Sequence, residues 1–321
     1  MGSAARRWAR GGARAVAVAL TALATLFGGA VAHAGVGSRF EPTPDGAWNG
    51  GPAAALRPSG VKAQVGDGQS AIVAGWTGST DLRLNQAVRL AGSVPDNGQN
   101  GSVRLDRYVG GTWRTVLTRP ISAAGRWSVL IMPPAVPGPV RHRVVWEQRG
   151  RAVGSAELPT LRVFRVHTYD VRTRGTISTD VEEFAKIVTQ TYGDERGWTR
   201  SYQRFERVQG GPGDFTLWLA QDSTVPSFAA SCSSQLSCRT GRDVVINETN
   251  WRTKTRAFTG DLATYRHMVL NHETGHWLGL GHRGCDRRRA AAPVMMQQSK
   301  SLGSCRANAW PLRAEIPAAQ R

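Results

Sequence analysis

Lysine is nearly missing from this 321-residue chain: of its 41 basic residues, only Lys62, Lys186, Lys254 and Lys300 are not arginine. Acids are also scarce, 23 in all, which leaves a formal charge of +18. The arginines are scattered, whereas a nucleic-acid partner calls for basic residues gathered on one face or beside a recognised fold, so none is expected. Attraction to an anionic cell envelope is the association that such a charge favours. Long apolar runs are missing as well. The run at residues 15–27 is too short for a comfortable membrane span. Cysteine is sparse and late. None precedes Cys232, which excludes a cysteine ligand from a pro-segment, and none stands directly after the cleavage point read below, which argues against a lipid anchor. No internal repeat is found.

Residues 1–34 read as a secretory signal peptide. Arg6, Arg7, Arg10 and Arg14 form a positive leader, the apolar run follows, and Ala32-His33-Ala34 offers small residues before Gly35. Losing those four arginines takes the charge from +18 to +14. A secreted, extracellular protein is expected, with cell-wall association open and no membrane span after signal removal. Residues 35–75 are rich in Gly, Pro and Ala and read as a linker. Export permits disulfides, and pairing Cys232 with Cys238 and Cys285 with Cys305 closes the two shortest loops. A structural zinc built from these cysteines lacks C-x-x-C spacing.

Residues 76–166 read as short strands. In "SVRLDRYV", Val103, Leu105 and Val109 fall on one side; Gly110-Gly111 then marks a hairpin before "TWRTVL". "GRWSVLI" puts Trp127, Val129 and Ile131 on one face, and "RHRVVW" does the same with His142, Val144 and Trp146. Strands at this spacing predict a small antiparallel sandwich, resembling the immunoglobulin-like modules of secreted proteins. His142 is read as a core residue, since no second ligand shares its register.

Residues 167–321 mix helix and strand. Val181, Phe184, Val188 and Thr191 keep helical spacing, with Thr179 and Glu182 as a capping box and Gly193 as the stop. "DFTLWLA" and "DVVIN" read as strands. Leu262, Tyr265 and Val269 lead a helix, capped by Asp261, into "NHETGHWLGLGH" at 271–282. On that helix His272 and His276 share a face, and Glu273 sits one residue round, placed to contact a water. Gly279 allows a sharp turn that returns His282 as the third ligand of a catalytic zinc, which needs three protein ligands and an open position. The chain's own frequencies give this five-letter pattern an expectation on the order of 10⁻⁵. Asp286 is the rival third ligand, Glu315 a poorer one. His267 reads as an outer or surface residue, and "DRRRA" at 286–290 as a solvated loop that could instead line a cleft.

"HETGHWLGLGH" resembles the zinc signature of the metzincin metallopeptidases. Together with "VVINETNW", "APVMMQQS" and "NAWP", the last 155 or so residues resemble a secreted actinobacterial metzincin-like family of unknown function. The resemblance implies an α+β fold: a mixed sheet whose edge strand, "DVVIN", lines the cleft, an active-site helix, and a methionine under the metal, Met295 first and Met296 second. It implies a zinc metalloendopeptidase with one Zn²⁺ on His272, His276 and His282, Glu273 as general base, and a peptide or protein substrate. A monomer is expected. Arg283 after the third His and Gln297 past the methionine fit none of the familiar subfamilies. The competing reading is an envelope- or protein-binding protein whose zinc site is structural or inactive.

Overall fold

The computed structural model describes residues 61–64, 71–94 and 101–316, all within one compact unit that starts at Ala54. The expected signal peptide lies outside the described residues, as does most of the linker. The linker's last part is folded: β1 (Val61–Gln64) and β2 (Ala71–Thr77) pair antiparallel. Ile72, Ala74 and Trp76 of β2 point into the core, a period-two pattern overlooked beside the Gly- and Pro-rich stretch preceding it.

β3 (Asp81–Arg83), β4 (Val88–Ser93), β5 (Gly101–Val109), β6 (Thr112–Pro120), β7 (Arg126–Ile131), β8 (Gly138–Val140), β9 (His142–Gln148) and β10 (Arg151–Glu157) follow. With β1 and β2, all of these except β3 and β8 build two four-stranded sheets, ordered β1-β2-β4-β7 and β10-β9-β5-β6. β7 alternates as read, with Trp127, Val129 and Ile131 buried. They share a core with Trp76, Leu90, Leu105 and Trp146, each such side chain contributing roughly 1.5–3 kcal/mol when fully buried. Gly110 and Gly111 turn the β5–β6 hairpin at φ 57° and 85°, the left-handed pair a tight turn uses. Val109, expected inside, is 39% exposed because it stands at the hairpin's tip, beyond the core. His142 is buried as read, edge-on to Trp76.

β11 (Leu161–Arg174) does not respect the expected boundary after Val166. Its first residues pair with β3 and β8, and its later ones run parallel to β12 (Gln203–Arg207) and β13 (Phe215–Ala220). Asp81 adds a polar clasp, accepting from Arg162 at 2.6 Å and from Arg204, while Arg83 reaches Glu206 at 2.7 Å. Sandwich and mixed sheet therefore share one strand.

The mixed sheet runs β12-β11-β13-β15-β14, with β14 (Cys238–Thr240) antiparallel to β15 (Asp243–Asn247) and the other neighbours parallel. "DVVIN" is thus an inner strand and β14 is the edge. Three residues with a cysteine among them carry too little alternation to be read as a strand. α1 (Val181–Gly193) crosses over between β11 and β12. Its cap is Asp180, whose carboxylate accepts from Glu182 N and Glu183 N, not Thr179. The Thr179 hydroxyl instead donates to Glu248, at the start of α2 (Glu248–Thr253). α3 (Leu262–Trp277) is capped by Asp261 as expected. Among the described residues no helix is long and apolar enough to cross a membrane.

Candidate metal centre

α3 is buried continuously from Met268 to Gly275, so His272 is shut off from solvent while His276 is half-buried. Trp198 Nε1 donates to Asn271 O at 3.1 Å, Asn271 Nδ2 donates to Ala309 O at 3.0 Å, and the Tyr192 and Thr274 hydroxyls meet at 2.7 Å. These bonds fix the helix's rotation, and with it where His272 and His276 point. Beyond Trp277 the chain reverses at Gly279, φ +91°, a conformation costly for any residue with a Cβ. The turn delivers Leu280 O to His276 Nδ1 at 2.8 Å and then brings His282 alongside.

The structure brings His272, His276 and His282 together, with one nitrogen of each ring within 4.8 Å of the others. His276 Nε2 stands 3.2 Å from His272 Nε2 and 3.0 Å from His282 Nε2. His272 Nδ1–H donates to Val294 O at 2.8 Å, as His276 Nδ1–H does to Leu280 O. Both Nε2 atoms are thereby left as unprotonated lone pairs pointing at each other, an arrangement that a shared cation relieves. Two imidazoles on one zinc at about 2.0–2.1 Å have nitrogens roughly 3.3 Å apart, so the donor set fits that ion. Burial lowers the pKa of all three, to about 3 for His272, which keeps the rings neutral as ligands must be.

Glu273 is 6% exposed, and burial pushes its carboxyl up to about 8. With the three histidines it lines a cavity of about 740 Å³. The opposite wall is the loop closed by the Cys232–Cys238 disulfide together with β14.

Met295 is fully buried beneath the helix, in a cluster with Trp198, Leu280 and Val294. Met296 packs elsewhere, with Ala292, Leu302 and Cys305 near the second disulfide, Cys285–Cys305. Both pairings match the sequence expectation. Gly275, which sequence reading passed over, is where Met295 comes closest: a Cβ there would stand 2.3 Å from Met295 Sδ. Glu315 was the more consequential miss. Fully buried, it accepts from Val294 N at 3.1 Å, Met295 N at 2.9 Å and Leu312 N at 2.7 Å. The single peptide joining Val294 to Met295 accepts from His272 at its carbonyl and donates to Glu315 at its N–H. One amide thus relays a carboxylate to a candidate ligand imidazole, the orienting role that outer groups play at metal sites.

Asp286 is exposed and stands outside the histidine group. "DRRRA" does not line the cavity. His267 bonds the Thr191 hydroxyl at 2.8 Å and packs on Trp310.

No curated protein matches the chain. Among solved structures it is similar to a CARDB domain from Pyrococcus furiosus, seen by solution NMR, at 14% identity and TM-score 0.22, covering 29% of this chain and 94% of that one. The crystal structure of that domain in complex with di-metal ions gives 15%, 0.22, 30% and 94%. A tetra-tandem repeat from the extending region of a large adhesion protein gives 16%, 0.20, 33% and 42%. Such TM-scores assign nothing to the site. The model of the family described as "Protein of unknown function (DUF3152)" matches residues 145–313, more than half of the chain and including His272, Glu273, His276 and His282, and the chain belongs to that family.

Proposed function

We propose that this protein is a secreted zinc-dependent endopeptidase. The observation that carries the reading is the meeting of three imidazole nitrogens beside one buried carboxyl at a cleft. Zinc held by His272, His276 and His282 would supply Lewis acidity, polarising a peptide carbonyl and acidifying water. The chain's own part is proton handling. Glu273, next to the first ligand and facing the cavity, takes the proton from the attacking water and returns it to the leaving amine. Burial raises its pKa toward neutrality, where a group both accepts and gives a proton readily, and a nearby cation draws it back down. A purely structural zinc needs no carboxyl at that place. The two disulfides suit an oxidising, extracellular setting.

The test is cleavage of a denatured general protein substrate by the purified protein, blocked by a chelator and restored by zinc. Glu273→Ala should keep its zinc and lose about 10²–10⁴-fold in rate. Zinc at full occupancy without hydrolysis of any peptide pool would instead favour an envelope- or protein-binding role.

A further inference from the structure

The cleft's charges are one-sided. Glu273 is its only carboxylate among the described residues, and it is buried; the exposed charges on the lining are Arg239 and Lys300. Elsewhere many arginines close on carboxylates, as Arg104 and Arg143 do on Asp106 and Arg162 and Arg204 do on Asp81. Arg239 and Lys300 make no such pair among the described residues.

Both sit on firm backbone. Arg239 is the middle residue of β14 and is exposed between half-buried neighbours, so its side chain rises off the sheet. The loop leading to it is tied by the Cys232–Cys238 disulfide and by Asn247 Nδ2 donating to Ser234 O at 2.8 Å. Lys300 follows the methionine turn, its N–H bonded to Gln297 O at 2.9 Å. Both line the same cavity as His272, His276 and His282. A concave site with cations at two places concentrates anionic groups.

We propose that Arg239 and Lys300 select peptides bearing a carboxylate close to the bond to be cut. This rests on the peptidase reading and adds its substrate class. The carboxylate comes from an Asp or Glu side chain or from a free C-terminus, and either satisfies the same two cations.

The experiment uses labelled peptides of one sequence with Glu, Gln or Lys scanned through the three positions on either side of the cut, all amidated. A Gln peptide with a free terminal carboxylate close to the cut forms a further arm. Cleavage is read as kcat/KM with the parent protein, and binding as Kd with Glu273→Ala. The Glu peptides should exceed the Lys peptides about tenfold at low salt, the size two exposed ion pairs supply, and the preference should shrink in high salt. Preference for the free-terminus peptide alone would identify the C-terminus as the source; preference for the Glu peptides identifies the side chain. Arg239→Gln with Lys300→Gln should bring Glu and Lys peptides to parity, and Arg239→Glu with Lys300→Glu should invert the order. Equal handling of all peptides, or a preference unchanged in the double variants, overturns the proposal. Acid-selective binding with no cleavage by the parent would overturn the peptidase reading and leave the charge selection standing.

Discussion

His142 in the sandwich and His272 on α3 are both nearly inaccessible, 1% and 8% exposed. Burial lowers both pKa values, to about 4 and about 3. By burial and by charge state they are alike. They differ in what surrounds the ring. His142 meets Trp76 edge-on and is framed by apolar strands. His272 has one nitrogen assigned to Val294 O and the other aimed at His276, 3.2 Å away. A buried neutral histidine is therefore no sign of a site; a second nitrogen held free toward other donors is.

The sharpest way to break this contrast is to remove each ring. His272→Ala should abolish stoichiometric zinc, whereas His142→Leu should keep zinc at the parent level in the folded protein, as elemental analysis would show. Zinc lost from both would mean that the sandwich histidine matters to the centre after all.

A second pair, Glu315 and Glu248, sharpens the same point. Both are buried carboxylates that accept backbone N–H bonds, Glu248 from Ser178 and Thr179. Only Glu315 shares a peptide with a ligand. Glu315→Gln turns an amide donor toward N–H donors and should weaken zinc binding about 10–100-fold. Glu248→Gln should lower the melting temperature without changing zinc affinity. Chelator competition on the folded variants separates the two.

A further effect concerns acid. A histidine whose folded pKa lies below 6.5 takes up protons more readily when unfolded. Its contribution to stability is complete above pH 6.5 and is lost as the pH falls toward the folded value. For His142, with its folded pKa of about 4, that loss amounts to up to about 3 kcal/mol. Urea unfolding of the metal-free chain between pH 7 and 4 should show a shallower acid decline in His142→Leu than in the parent.

The sequence made the centre largely legible because its parts are local. Two histidines one helical turn apart, a glycine that permits reversal and a third histidine fall within a dozen positions, and their spacing carries the geometry. Met295 was legible as one of two adjacent choices, and Gly275's close contact with its sulfur separates them. Glu315 and Arg239 were not legible: each joins the centre through contacts distant in the chain, which no helical or strand period encodes. The strand boundaries failed for a related reason. β11 reads as a single run because it is one strand serving two sheets. The α1 cap slipped by one residue because Thr179 and Asp180 can both cap, and the bond from Thr179 to Glu248 decides between them.

The claim on which the rest depends is that three imidazoles bind one ion. X-ray absorption at the zinc edge, measured on the parent protein and on His282→Ala, tests it most directly. The account predicts one zinc per chain in the parent with three imidazole ligands, and a ligand lost or the metal lost in the variant. Zinc absent from the parent, or an unchanged spectrum in His282→Ala, would contradict it.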